Sequence, residues 1–361
     1  MSQCKTNSHV ELNFEQSGLS IIEIMIALLL ASLLTLGLVQ IFTSNSQTFR
    51  LNEANARVQE SGRIALEILS RGVRNAGYYG CQPINGFTNN IDTGAGYDPS
   101  IHNFDQSFAV YSGSDPAMIP AGNPAGSDYI RIARIAQEDL DLRAEDNINS
   151  ANLKLTSTGS LQEGDIVFIT DCVNGDIIQI GNVSPNSGTV NTPTGNNVQP
   201  GNDFTSNSPP GCSSARNCLS AVYDQGTRVM RASAETFFIA QPAGQAEPSL
   251  RRATARGDQH DLVSGIQALR VQYAVQGGGS VNWIDAAAVD DDDWNSVLAA
   301  RISILVRSAE NNVVDTAQRI CFPGPPWAGQ DCDDDDNLEE MSDRRLYRVY
   351  TTTAAIRNRI R

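Results

Sequence analysis

The hydrophobic residues near the N-terminus form one continuous run, whereas those further along the chain recur in short patterns. From Ile24 to Phe42 the sequence is apolar except at Ser32, Thr35, Gly37 and Gln40. An α-helix needs roughly 17–25 predominantly apolar residues to cross the hydrocarbon core of a membrane. The pattern therefore predicts a transmembrane helix at this position.

The residues on either side of this run differ from those of a cleaved secretory signal. Such a signal has a basic N-terminal region, a shorter apolar core and a small-residue cleavage site after that core. The preceding residues carry Lys5 against Glu11 and Glu15, and the polar segment 43–47 follows without an A-x-A site. We therefore expect no cleavage after the apolar run.

Beyond Phe42 the apolar residues recur at steps of three or four, and charged residues fill the other positions. This is the period of one face of an α-helix. The stripe predicts an amphipathic continuation of the helix that ends near Gly77 and packs on its own domain. The stripe consists of Leu51, Ala54, Val58, Gly62, Ala65, Leu69 and Val73.

Short β-branched runs bounded by turn residues occupy the chain from Tyr78 onward, and they predict a β-rich domain. The segment Ser184–Pro210 is rich in Asn, Gly, Pro, Ser and Thr, which predicts an exposed loop. The whole pattern indicates an α+β fold, with a long N-terminal helix docked on a C-terminal antiparallel β-rich domain. The predicted strands are Asp128–Ile135, Asn152–Leu155, Gly164–Ile169, Asp176–Ile180, Glu235–Ala240, Leu269–Val275 and Ala300–Val306.

Length and charge limit the function classes. A chain of 361 residues accommodates one sizeable domain plus an anchor. A formal net charge of -15 repels phosphate backbones, so general nucleic-acid binding is disfavoured. The sequence also lacks the G-x-S-x-G, Walker A, H-E-x-x-H and dinucleotide-binding motifs. We therefore predict neither enzymatic activity nor a cofactor.

Six of the seven cysteines follow the apolar run, and the seventh is Cys4. An even set in a domain outside the cytoplasm favours disulfides, whereas a zinc site lacks C-x-x-C spacing. Six cysteines allow 15 pairings; short spacing favours two pairs and leaves the third. The predicted pairs are Cys212–Cys218, Cys321–Cys332 and Cys81–Cys172.

Two acidic runs, Asp290–Asp293 and the segment 331–340, invite a calcium hypothesis because carboxylate oxygens suit that ion. The second run lacks the glycine and glutamate that an EF-hand loop requires at its sixth and twelfth positions. Solvated acidic loops without metal are the preferred interpretation. The basic C-terminal end, which includes Arg344, Arg345 and Arg348, is expected to form salt bridges to these runs.

Glu23 is a carboxylate near the start of the otherwise apolar helix. An ionisable group within a membrane span costs about 2.5–3.5 kcal/mol at the helix centre, and less near the end. Its position alone leaves two explanations open. Glu23 either extends to the membrane interface, where the helix N-terminus favours its charge, or is neutralised by a partner.

The residues around Glu23 resemble a known processing signal. Gly18 directly precedes Leu19, and Glu23 is the fifth residue counted from Leu19. This arrangement resembles the class III signal of type IV pilins and type II secretion pseudopilins. The resemblance implies that prepilin peptidase cuts after Gly18 and that the amine of Leu19 is methylated. It also implies that Glu23 pairs with the N-terminal amine of a neighbouring subunit on assembly.

The same resemblance divides the chain into four parts. Residues 1–18 would be a cleaved leader, residues 19–42 the transmembrane helix and residues 43–77 its amphipathic continuation. Residues 78–361 would form a disulfide-containing β-rich domain in the periplasm or outside the cell. The expected fold is therefore pilin-like.

Three C-terminal segments and the end of the chain look like the blocks of PilW-type minor pilins. The resemblance implies a minor pilin that takes part in type IV pilus assembly and twitching motility, in a priming complex and at the pilus tip. The segments are Val263–Tyr273, Ala300–Ser308, Arg345–Thr353 and Ile356–Arg359.

The resemblance also implies location and partners. The chain would be a single-pass protein of the bacterial inner membrane with its C-terminal domain in the periplasm, and later part of the pilus at the cell surface. Its partners would be other minor pilins, the major pilin, prepilin peptidase and the inner-membrane assembly platform. Two alternatives stay open: a GspJ-like pseudopilin of type II secretion, and an adhesin or DNA-uptake factor that uses the loop Ser184–Pro210.

Overall fold

The structure is a computed structural model of the full chain. It falls into two compact units, with the boundary between Glu53 and Ala54. The described residues are 20–81, 86–98, 102, 104, 110–111, 126–135, 143–144, 148–192, 198–207, 209–212, 217–242, 244–254, 258–327 and 331–358.

One long helix, α1, extends from Ile21 to Asn75. It begins where the Ser20 carbonyl accepts hydrogen bonds from the backbone N–H groups of Glu23 and Ile24, at 3.0 and 3.2 Å. It ends just before Gly77, whose φ of +67° lies in the left-handed region that glycine adopts without strain. The long N-terminal helix predicted from the apolar run and the stripe is therefore confirmed.

The remaining described elements are nineteen strands and three short 3-10 turns. The first ten strands are β1 Phe87–Asn89, β2 Val110–Tyr111, β3 Ile130–Ile135, β4 Ile148–Ser150, β5 Leu153–Lys154, β6 Ile166–Thr170, β7 Gly175–Gln179, β8 Asn182–Ser184, β9 Thr189–Asn191 and β10 Cys218–Tyr223. The other nine are β11 Arg228–Ala240, β12 Ser249–Thr254, β13 Gln259–Ser264, β14 Ile266–Gly277, β15 Ser280–Asp285, β16 Val297–Arg307, β17 Arg319–Ile320, β18 Glu339–Glu340 and β19 Tyr347–Ala355.

The larger sheet is organised around β11. Residues Arg228–Arg231 of this strand pair with β6, residues Ala232–Phe237 pair with β3, and residues Glu235–Ala240 pair with β12. The order β1-β7-β6-β11-β12-β13 is completed by β3 and β2, and the β1–β7 pair is parallel. One long strand thus joins the pairings of the whole sheet.

The second main sheet is antiparallel and has the order β15-β14-β16-β19. Strand β14 is set off from β13 by Gly265, whose φ is +82°. Asp128, which precedes β3, connects the two sheets because its backbone N–H donates to the Leu269 carbonyl at 2.8 Å and its carboxylate accepts from the Val271 N–H at 2.7 Å. Burial raises the pKa of Asp128.

The second part of α1, from Ala54 onward, docks on both sheets. Its buried positions are those of the predicted stripe from Ala54 onward, with Ser70 added, whereas Leu51 of the stripe is only half-buried. They share one hydrophobic core with residues of β3, β11, β14, β16 and β19. The C-terminal end of the chain returns to the end of the helix, where the Asn358 side-chain amide donates to the Ala76 carbonyl at 3.0 Å. The α+β fold with a helix docked on a β domain is confirmed.

The prediction that Ser184–Pro210 is an exposed loop is wrong in part. Strand β9 lies within it, and Asn202 and Thr192 are buried. The Asn202 side chain accepts from the Gln179 N–H at 2.7 Å and donates to the Gln179 carbonyl at 2.8 Å. Because these side chains satisfy backbone groups, polar residues are packed inside. Residues 193–197 and 208 lie outside the described part of the chain.

A buried carboxylate connects β1, β7 and β10. Asp176 accepts hydrogen bonds from the Asn90 amide at 2.7 Å, the Ser220 hydroxyl at 2.8 Å and the Tyr223 hydroxyl at 2.6 Å. The Ser220 backbone N–H donates to both of its oxygens at 3.1 Å. Burial raises the pKa of Tyr223, which therefore acts as the donor.

Candidate functional site

The first part of α1 exposes its apolar side chains. Leu28, Leu34 and Phe42 are 65, 70 and 74% exposed, and the same holds along the whole run. Among the described residues, α1 is the one helix long and apolar enough to cross a membrane. Such an apolar surface in a water-soluble protein would be covered by packing. The helix is therefore a candidate membrane anchor.

Polar hydroxyls within the apolar run are satisfied inside the helix. Ser32 donates to the Leu29 carbonyl and Thr35 to the Ala31 carbonyl, each at 2.7 Å. A hydroxyl bonded to the preceding turn needs no partner in a membrane. The carboxylate of Glu23 has no such internal solution, because it only accepts hydrogen bonds.

Glu23 lies in the first turn of α1 and is exposed. Within the part of the chain that the structure describes, no ion pair is formed by its carboxylate. The predicted cleavage residues Gly18 and Leu19 lie outside the described residues. The cleavage, methylation and pairing roles therefore stay predictions.

Gly62 of α1 lies directly against the second sheet. A Cβ at this position would lie 2.6 Å from two ring carbons of Tyr350 in β19. The aromatic ring therefore occupies the space that a side chain on the helix would need. Burial raises the pKa of Tyr350. The stripe points to Gly62 as a core position but gives no sign of Tyr350, which is distant in the sequence.

Six cysteines form three disulfides. The first connects the segment after α1 to the turn between β6 and β7, the second spans the entry to β10, and the third closes the segment between β17 and β18. Disulfides persist in oxidising compartments. The bonds are Cys81–Cys172, Cys212–Cys218 and Cys321–Cys332; short spacing favours the last two, and the first is the pair that remains.

The basic C-terminal residues were expected to form salt bridges to the two acidic runs, and the described ion pairs differ from this expectation. Arg345 pairs with Asp343 at 3.1 Å, and the described ion pair of the acidic segment joins Asp335 to Arg319 at 2.8 Å. Asp331 and Asp334 each accept a backbone N–H two residues on, as in Asx turns. Among the described residues, no three His, Cys, Asp or Glu side chains form a metal-holding group.

The comparison with known families concerns the C-terminal third of the chain. Residues 236–358 match the family model described as Type IV Pilus-assembly protein W. This segment includes the whole β15-β14-β16-β19 sheet on which α1 docks. No curated protein and no solved structure matches the chain. The resemblance of the C-terminal segments to PilW-type proteins is thereby confirmed, and the match associates the chain with type IV pili.

Proposed function

From the match of residues 236–358 to the PilW family, we propose that this chain is a minor pilin that takes part in type IV pilus assembly. In this role it joins other minor pilins in a complex that primes the fibre, and it stays at the pilus tip. Before assembly it is held in the inner membrane by the first part of α1, with residues 78–361 in the periplasm.

The structural observation that supports this proposal is the arrangement of segments along α1. One continuous helix combines an exposed apolar segment, a carboxylate in its first turn and a buried stripe that docks on the matched sheet. A carboxylate facing lipid is costly, and pairing with a cation removes most of that cost. Glu23 therefore favours a state in which a neighbouring subunit supplies the cation.

The cation that we propose is the N-terminal amine of a neighbouring subunit. Prepilin peptidase frees this amine when it cuts before the first residue of the mature chain, and the amine is then methylated. In the same way, the amine of Leu19 would serve a further partner. This mechanism couples assembly to processing, because an uncut precursor has no amine at the required position.

The test replaces Glu23 by alanine and follows assembly. We expect Glu23→Ala to insert in the membrane and keep its three disulfides, but to fail to co-purify with other minor pilins and to leave a deletion strain without surface pili. Glu60→Ala is the matched control, because Glu60 is an exposed glutamate on the same helix. Normal pili and normal co-purification with Glu23→Ala would contradict the pairing mechanism.

Deletion of the gene separates the pilus role from type II secretion. We expect surface pili and twitching motility to be lost while secreted enzymes stay at wild-type levels. Intact pili with lost secretion would assign the chain to a type II secretion pseudopilus. The adhesin alternative relied on an exposed loop at Ser184–Pro210, and the packing of Asn202 and Thr192 removes part of that surface.

A further inference from the structure

A groove lies between the last turns of α1 and strands β3, β11, β12 and β13 of the larger sheet, and we call it the helix-side groove. Its cavity volume is about 600 Å³, within the roughly 300–1,000 Å³ of ligand pockets. Its floor is apolar and consists of Ile64 and Ile68 of α1, Phe237 of β11 and Leu262 of β13. Ile64 is 40% exposed, so part of this floor faces solvent.

Gly72 brings the helix close to the sheet beside this groove. A Cβ at Gly72 would lie 2.7 Å from the Cδ1 atom of Ile132 in β3. Helix and sheet are therefore in contact at Gly72. The longer side chains around Gly72 hold the helix and the sheet further apart, which leaves the groove open. The groove is thus built into the docking geometry of α1.

The sheet side of the rim contains a glutamate held by two arginines. The two oxygens of Glu235 lie 3.1 Å from an Nη2 of Arg134 and 3.3 Å from an Nη1 of Arg252. Glu235 is 8% exposed, so its carboxylate is largely shielded from solvent and interacts with these two arginines. The network keeps both guanidinium groups at the groove wall.

The helix side of the rim adds two more arginines and one glutamate. Arg71 pairs with Glu67 at 3.2 Å, one helical turn away. Arg63 also lines the groove and is exposed. Counting the lining residues, four arginines stand against two glutamates, so the rim carries a formal charge of +2 (4 − 2). The chain as a whole carries -15.

The chemistry of the groove selects its occupant. Guanidinium groups bind carboxylates in a two-point geometry, and an apolar floor accepts an aliphatic or aromatic side chain. A nucleic acid would meet two carboxylates on the rim and an acidic molecule around it, which disfavours a polyanion. The groove therefore fits a protein segment in which an acidic residue stands near an apolar one.

We propose that the helix-side groove binds such an acidic, apolar-containing segment of another pilus subunit. This inference rests on the proposed function and names the contact by which the periplasmic domain selects its neighbour. Complementary charges guide two subunits to the correct register, and burial of the apolar side chain holds them.

The experiment places a photo-crosslinker in the groove of the full-length chain in living cells. Ile64 is replaced by p-benzoylphenylalanine, and the crosslinked peptide of the partner is identified by mass spectrometry. We expect a peptide of another pilus subunit that contains Asp or Glu next to an apolar residue. Crosslinking to lipid, to nucleic acid or to no pilus subunit would overturn the proposal.

A neutralised rim tests the charge argument. In the crosslinker background, Arg63→Gln with Arg71→Gln should reduce the crosslink about tenfold, the size of one lost charge-assisted contact. The control variant, Arg228→Gln with Arg357→Gln, makes the same charge change at exposed arginines outside the groove. It should leave the crosslink yield unchanged. Equal crosslinking in both double variants would contradict the proposal, and melting temperatures verify that both fold.

This outcome is distinct from failure of the proposed function. If gene deletion removes pili while the neutralised rim crosslinks and assembles like wild type, the groove proposal alone fails. If the wild-type chain co-purifies with no pilus subunit and deletion leaves pili intact, the pilus function itself fails.

Discussion

At Gly62, the ring of Tyr350 in β19 occupies the space that a side chain would need. We expect Gly62→Ala to destabilise the domain by up to about 2 kcal/mol, because overpacking costs roughly 1–3 kcal/mol and the gain in helix propensity returns about 1 kcal/mol. Chemical denaturation of the detergent-solubilised chain measures this change. Gly37→Ala is the control, since a Cβ at Gly37 has nothing within 4 Å.

The cost should depend on Tyr350. In a Tyr350→Leu background the ring is absent, so Gly62→Ala should lose its penalty. The same loss of stability in both backgrounds would show that the ring is not the cause.

Asp176 is a second residue whose role is specified by its partners. We expect Asp176→Asn to destabilise the domain by about 2–3 kcal/mol. Both oxygens of the carboxylate accept hydrogen bonds, whereas the amide nitrogen of asparagine is itself a donor and would leave some of the surrounding donors without an acceptor. Asp224→Asn, at an exposed position after β10, should change stability by no more than about 0.5 kcal/mol. An equal effect of both substitutions in denaturant melts would count against the hydrogen-bond network.

At the scale of elements, the disulfide Cys81–Cys172 joins the end of the helix to the β6–β7 hairpin across 91 residues of sequence. Cys212–Cys218 spans 6 residues. In the chain-entropy model the longer loop contributes about 4–5 kcal/mol and the shorter about 2 kcal/mol. We therefore expect the double serine variant at Cys81 and Cys172 to lower the melting temperature more than that at Cys212 and Cys218. The reverse order in calorimetry would contradict this.

The elements differ in how far the sequence predicts them. The helix is predictable because its apolar run and its stripe are local patterns with a fixed period. Strands β3, β6, β7, β14 and β16 are also predictable, since they combine β-branched residues with turn residues at their ends. Of β11 only Glu235–Ala240 is predicted, because Arg228–Ala234 contains a single β-branched residue, Val229. Strand β12 is not, because Ser249–Thr254 contains two arginines that pair across the sheet rather than follow an alternating pattern.

Amino-acid composition gives a wrong prediction of exposure where polar residues are buried. Asn202 and Thr192 are typical loop residues, yet their side chains replace missing backbone partners inside the fold. The candidate sites show the same division. Gly18, Leu19 and Glu23 lie close together in the sequence and are singled out by their resemblance to the class III signal. The helix-side groove, in contrast, combines residues of α1, β3, β11, β12 and β13 that only tertiary packing brings together.

At the scale of the whole molecule, the proposed function makes assembly depend on the predicted processing at Gly18. We expect Gly18→Val to leave an uncut precursor in the membrane, because the resemblance to the class III signal implies that the cut follows this glycine. Ser17→Ala is the control and should be processed normally. N-terminal sequencing of the membrane fraction distinguishes the two, and a Gly18→Val chain that begins at Leu19 would refute the cleavage assignment.

The hydrogen bond from Asn358 to the Ala76 carbonyl has a consequence for the order of folding. In the proposed topology the helix is exported before the strands that follow it, yet its stripe is covered by Tyr350 of β19 and by Ile356 just after that strand. A chain arrested during export therefore keeps an uncovered apolar stripe. Under the proposed function, the domain would close only after β19 has crossed the membrane, so this strand would act as a checkpoint that withholds incomplete chains from a growing fibre.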